Sequence, residues 1–225
     1  MNYLEECLEL LKKGLINLDH VPSVLRTKKV CEAAIDAQDY ALYYVPLELK
    51  TPELCLRAVQ SKGKSLCEVP DHLQTLEICL AAVKEDGYAL DYVPKELKTP
   101  ELCLVAVKQD GRALRAVPPD LRTLEVCLAA VKQDGEAIQY TLTRIKTPGL
   151  CLAAVQQDGF ALRFLATNIR TPELCLAAVQ QHGMALFHVP NELKTPELCL
   201  AAIRQRPSAI CESPYSVLEL LSLNS

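Results

Sequence analysis

Apolar and polar positions along this chain repeat on a fixed 24-residue cycle. In the cycle at 99–122, TPELCLVAVKQDGRALRAVPPDLR, the residues Leu102, Cys103, Leu104, Ala106 and Val107 make one apolar block. Ala113, Leu114, Val117 and Leu121 make a second, shorter set. Cysteine returns in register at Cys7, Cys31, Cys55, Cys79, Cys103, Cys127, Cys151, Cys175 and Cys199, with no insertion or deletion between them. A unit this small cannot bury its own apolar face, so the period predicts a stack of repeats.

Within the unit, Thr99 stands where a helix N-cap belongs. Pro100 at the first helical position loses only an N–H that has no intrahelical partner, and Glu101 complements the positive helix end. A first helix is predicted over 100–109, apolar nearly all round and so buried between neighbours. Its exposed strip is assigned to Glu101, Val105 and Lys108, because the counterparts of Val105 include Arg57 and Glu9. Asp110-Gly111 is expected to end it, the glycine in the left-handed conformation, as with Gly63, Gly87, Gly135, Gly159 and Gly183. A second element over 112–117 is cut off by Pro118. The pattern leaves α and 3₁₀ geometry open for it. Arg112, Arg115, Ala116 and Pro119 face outward.

The fold expected is all-α: an α-solenoid of two-helix repeats, each a long α-helix plus a short α or 3₁₀ piece. One array covers 1–225, with a degenerate cap repeat at 1–26, eight repeats at 27–218 and a C-terminal cap and tail at 219–225. The first helix of the cap is more polar, carrying Glu6, Glu9, Lys12 and Lys13, as a layer with one wet side should be. Unit 27–50 has Lys28 and Asp39 where others have proline and glycine. Units 123–146 and 147–170 replace the valine-proline step by Thr141-Leu142 and Leu165-Ala166, and Gly149 stands where most units have Glu. Without the proline, a continuous α-helix is predicted over 136–146 and 160–170, with a local change of curvature, although neutral drift accounts for the same residues. Leu218, Leu220, Leu221 and Leu223 are assigned to covering the last layer.

Composition narrows the chemistry. Half of the 225 residues are apolar, with three Phe and no Trp, which suits many thin layers. A net charge of −4 argues against a dedicated polyanion binder. No run approaches a membrane span, and the acidic start MNYLEECLELLKK does not look like a secretory signal. Eleven cysteines could suggest a disulfide framework, yet the count is odd and nine share one site per layer. Stacked helices lie about 8–10 Å apart, beyond the roughly 7 Å between Cα atoms that a disulfide allows. Cysteine therefore reads as a small buried hydrophobe in a reduced, cytoplasmic protein, with Cys67 and Cys211 outward. No CxxC or His at ligand spacing indicates a metal, and no cofactor is implied. His20, His72, His182 and His188 are scattered, and no catalytic motif appears, so the chain is read as a non-enzyme.

The functional signal lies in the outward positions of the second element, which vary while the core does not. One column reads Tyr40, Lys64, Tyr88, Arg112, Glu136, Phe160, Met184. The next reads Tyr43, Cys67, Asp91, Arg115, Gln139, Arg163, Phe187, and the third Tyr44, Glu68, Tyr92, Ala116, Tyr140, Phe164, His188. Nine of the eleven aromatics fall here, whereas a merely solvated face should be aromatic-poor. The partner-binding residues are therefore taken to be Tyr40, Tyr43, Tyr44, Tyr88, Tyr92, Arg112, Arg115, Tyr140, Phe160, Arg163, Phe164, Phe187 and His188. The rival reading is that the rings pack between layers. A non-catalytic scaffold follows, monomeric and away from membranes, whose partner is another protein. The alternative is nucleic acid, tracked by a basic row of Arg26, Lys50, Lys98, Arg122, Lys146, Arg170 and Lys194, broken by Gln74. Glu48, Glu96 and Glu192, two residues before members of that row, weaken it.

The phrase TPELCLAAVKQDGxALxxVPxELK resembles a family of short bacterial helical repeats, defined as a domain of unknown function and found in tandem arrays, including in effectors of intracellular pathogens. The resemblance covers 27–218 and implies an effector or inhibitor that regulates a partner, in a host cytosol where it is translocated. The period and the long–short alternation are also similar to the leucine-rich repeat variant, which implies the right-handed stack of α and 3₁₀ helices. Neither resemblance supplies a catalytic residue.

Overall fold

Threonine opens the long helices of the computed structural model, which describes residues 3–38 and 40–222. The hydroxyl oxygens of Thr51, Thr75, Thr99, Thr123, Thr147, Thr171 and Thr195 each accept the N–H three residues on, at 3.2–3.3 Å. This satisfies one of the N–H groups that a helix start leaves without an intrahelical partner. Thr27 makes no such bond. The ten-residue helices that follow bury the equivalents of Leu102, Cys103, Ala106 and Val107, except that Ile203 in the last is only half-buried. They are not buried all round. Leu104 is only half-buried, and its counterparts Leu152 and Leu176 are exposed.

The residues group into two compact units, Met1–Gln109 and Asp110–Ser225. In the first, the helices Tyr3–Lys12, Lys28–Ala37, Pro52–Ser61, Leu76–Glu85 and Pro100–Gln109 pack each on the next. In the second, Leu124–Gln133, Pro148–Gln157, Pro172–Gln181 and Pro196–Gln205 do the same. Among the described residues there is no strand. The chain is an all-α repeat solenoid. The nine in-register cysteines are buried in it, Cys7 at the rim and the rest at 0% exposure.

The short second element is a 3₁₀ helix of six residues in most repeats, such as Gly63–Glu68, Gly111–Ala116 and Gly159–Phe164. Asp86, Asp110, Asp134 and Asp158 start it by accepting the N–H two residues on, at 2.9 Å. After the valine-proline step comes a third piece that the sequence pattern did not reveal, a single 3₁₀ turn such as Asp71–Leu73 or Lys95–Leu97.

The glycines do not do what was expected of them. Among the described residues, positive φ belongs only to Gly14 and Tyr40, so the repeat glycines are not left-handed caps. What they permit is contact between backbones. A Cβ on Gly111 would stand 2.4 Å from the carbonyl oxygen of Ala130 in the next repeat. The same holds for Gly63 against Ala82 and for Gly135, Gly159 and Gly183 against Ala154, Ala178 and Ala202. A glutamine locks the approach. Gln133 Oε1 accepts the Gly111 N–H at 2.6 Å, and Gln157 accepts from Gly135, Gln181 from Gly159 and Gln205 from Gly183. The amide nitrogens of Gln157, Gln181 and Gln205 donate to the carbonyls of Gln133, Gln157 and Gln181, one repeat back. In the first unit Gln109 bridges Gly87 and Glu85 in the same way. Unit 27–50 has no such glycine, and its second element is a short α-helix, Ala41–Tyr44, entered through Tyr40 at φ 64. Asp39 lies outside the described residues.

The two repeats without the valine-proline step also depart from expectation. No α-helix runs over 136–146 or 160–170; Gly135–Tyr140 and Gly159–Phe164 stop where the others do, followed by the turns Thr143–Ile145 and Thr167–Ile169. The stop is set by hydrogen bonds. Thr141 Oγ1 donates back to the Ile138 carbonyl at 2.7 Å. Arg122 and Lys146, from the preceding repeats, donate to the terminal carbonyls of Tyr140 and Phe164. Of the C-terminal leucines, Leu220 is buried as expected; Leu223 and the side chains of Leu218 and Leu221 lie outside the described residues.

Ala130 is fully buried, and its carbonyl is the one that meets Gly111. Replacing Ala130 by Leu should push adjacent helices apart and cost about 1–3 kcal/mol, read as a lowered melting temperature. Unchanged stability would show slack in the layer.

Candidate functional site

The second elements hold the variable columns on a short, rigid frame. Ala113, Leu114 and Val117 point inward and are buried. A 3₁₀ helix has three residues per turn, so positions three apart project the same way, and Arg112 and Arg115 are both exposed. The middle column is exposed at every position from Tyr43 to Phe187. The flanking columns are mostly half-buried. The interface and packing readings thus divide between columns.

In the first unit, Tyr40, Tyr43 and Tyr92 are exposed at 50%, 62% and 44%, while Tyr44 and Tyr88 are half-buried. Tyr43 and Tyr44 meet edge to face with centroids 4.9 Å apart. The Lys62 ammonium lies 5.9 Å from the Tyr40 ring, and Lys64, one repeat back, lies 5.9 Å from Tyr88. Cys67 is exposed, but burial of the thiol and its bond to Glu68 push its pKa up, so it is no activated thiolate.

In the second unit, Arg112, Arg115, Arg163 and Phe187 are exposed, Phe187 at 63%; Tyr140, Phe160, Phe164 and His188 are half-buried. Arg112 Nε pairs with Asp134 across repeats at 2.7 Å, and Arg163 pairs with Glu136 at 2.7 Å. The Arg163 guanidinium also covers the Phe164 ring at 4.5 Å. Phe160 reaches into the next repeat, 4.4 Å from the His182 ring and 6.0 Å from His188, which meets Phe187 edge-on. Phe160 is thus partly mortar, and Phe187 stands clear.

The basic row has a different task from the one a phosphate track would need. Each member is half-buried. Arg26, Lys50, Arg122, Lys146, Arg170 and Lys194 donate to the carbonyls of Tyr44, Glu68, Tyr140, Phe164, His188 and Glu212, each ending the next second element. The cations of Arg122 and Arg170 also bond Val117 and Leu165 in their own repeats. Cations at a helix C-terminus complement its dipole.

Sequence reasoning missed both this role and the glutamine clamp, although Gln109, Gln133, Gln157, Gln181 and Gln205 form a visible column. Among the described residues no three His, Cys, Asp or Glu side chains gather as metal ligands. Burial pushes the Cys79 and Cys175 thiols up to about 11. No described helix is long and apolar enough to cross a membrane.

A family model, Domain of unknown function (DUF4116), matches residues 51–98, 75–122, 99–146 and 171–218. The chain belongs to this family. Two repeats fit each match, and the first three matches step by one 24-residue unit. The spans leave 147–170, the repeat of Gly149, between them. No curated protein and no solved structure matches the chain.

His188 carries a testable pH dependence. Burial, then Arg170 and Arg163, lower its pKa, with Glu212 acting in the opposite sense. The unfolded chain then holds more protons than the folded one below the ordinary histidine pKa of about 6.5, so stability falls as pH drops through that value. Carboxylates titrate lower, which isolates the window between about pH 5 and 6.5. His188→Tyr, the residue of the equivalent Tyr92 and Tyr140 positions, should flatten the melting temperature across that window; an unaltered slope would assign the dependence elsewhere.

Proposed function

We propose that the chain is a non-catalytic protein-interaction scaffold that presents the middle column of its second elements, with Tyr40 and Tyr92 beside it, to a partner protein. The observation that carries the reading is the exposure of large rings, Tyr43 and Phe187 above all, on elements whose inward residues are fully packed. Exposed aromatics on a rigid frame lose little conformational freedom on docking and are the residue class enriched among binding hot spots. The arginines beside them add polar contacts, and their ion pairs within the stack hold them in place. The cysteines form no disulfide, which suits a reducing compartment such as a cytosol. A phosphate track has no comparable support, since the basic row faces carbonyls of its own chain.

The test separates exposed rings from packed ones. Tyr43, Tyr92 and Phe187 changed together to Ser should cost at most about 1 kcal/mol per ring, the value of a surface aromatic contact. The same variant should lose a partner that the parent captures in pull-down and that mass spectrometry identifies. Tyr88, Phe160 and Phe164 changed to Ser should instead lower the melting temperature. Retention of the same partner by the first variant would overturn this face as the binding surface.

A further inference from the structure

The repeat at 147–170 opens a cleft of about 640 Å³ between the start of the helix Pro148–Gln157 and the start of Pro172–Gln181. Its walls include Pro148, Leu152, Ile169 and Leu174, with Lys146 and Glu173 as the charged lining. The volume lies within the range of small-molecule sites, about 300–1,000 Å³.

Gly149 is one of the residues that line the cleft. Six repeats carry glutamate where Gly149 stands: Glu53, Glu77, Glu101, Glu125, Glu173 and Glu197. A Cβ at 149 would meet nothing within 4 Å, so glycine is not required there by packing. Its effect is to remove both the bulk and the charge of a carboxylate from the mouth of the cleft. A neighbouring column that reads Glu48, His72, Glu96, Asp120 and Glu192 in other repeats has Arg144 and Asn168 here, and Asn168 lines the cleft. Lys146 is half-buried, and its ammonium donates one bond, to the Phe164 carbonyl. An ammonium has three donors, and desolvation already lowers its pKa, so a carboxylate brought beside it is favoured. Glu173 is kept ionised by its own backbone N–H and the Thr171 hydroxyl, and its exposure to solvent screens its repulsion of a second carboxylate. Glu53 is held the same way with Thr51, so a carboxylate at this place in a repeat has donors ready for it.

We propose that the Gly149 cleft binds a small carboxylate with an apolar body, the chain lying on Leu152, Ile169 and Leu174 and the carboxylate beside Lys146 and the Gly149 backbone. None of the aromatic columns lines this cleft, so the site stands or falls independently of the partner face. The test is calorimetric titration of the full chain with sodium octanoate and, as the uncharged match, 1-octanol. Octanoate should bind saturably at one site and about tenfold or more tighter than octanol. Gly149→Glu, which restores the residue of six sister repeats, should abolish octanoate binding without lowering the melting temperature. Lys146→Gln gives this repeat the side chain of Gln74, which bonds the Val69 carbonyl in its own repeat, and should bring octanoate down to the octanol level. Octanoate binding unchanged in Gly149→Glu, octanol matching octanoate in the parent, or no saturable octanoate binding at all would overturn the proposal.

Discussion

Everything in this molecule depends on how closely the backbone of one repeat can approach the next. The contact is between the glycine that begins a second element and the carbonyl of an alanine in the following long helix, too close for any Cβ between them. Such contact would strand polar groups, and a buried unsatisfied N–H costs about 1–3 kcal/mol. The glutamine column removes that penalty by accepting the glycine N–H and donating to the carbonyl one repeat back. Arg and Lys side chains do the equivalent for the carbonyls at the far end of the second element. Side-chain bonds between repeats thus complete the backbone hydrogen bonding of elements too short to satisfy themselves.

The same constraint explains the composition. With glycine and alanine setting the spacing, the layer has room for Leu, Val and Cys but not for aromatic rings, and the rings fall on the outward columns. Those that lean on a neighbour, Phe160 on His182 or Tyr88 beneath Lys64, share in the packing. Tyr43 and Phe187 do so only at an edge. The proposed partner face is what remains after the stack has taken the contacts it needs.

The repeat, the helix-starting threonines and the buried cysteine column were legible because each depends on neighbours within one cycle. What stayed illegible depends on the facing repeat. Gly111 looked like a left-handed cap because nothing in the string shows Ala130 opposite it. Arg122 looked like a surface charge because its acceptor, Tyr140, is 18 residues away. Thr141 and Leu165 removed the proline stop, yet the stop persisted through bonds from Arg122 and Lys146 that no local pattern records. For the site, the string shows the columns, but exposure separates Tyr43 and Phe187 from Phe160 and Tyr140 only once the layers are stacked.

The central claim is that close backbone approach, and not helix capping, is why the repeat glycines are glycine. It is tested most directly by thermal unfolding of Gly135→Ala beside Gly149→Ala in the same chain. A Cβ at 135 would meet the Ala154 carbonyl oxygen at 2.5 Å, whereas one at 149 meets nothing within 4 Å. Gly135→Ala should lose about 1–3 kcal/mol or more, the cost of forcing bulk into a filled space. Gly149→Ala should hold or gain up to about 1 kcal/mol, as alanine replaces glycine in a helix. Equal melting temperatures for the two variants, or a stabilised Gly135→Ala, would contradict the account.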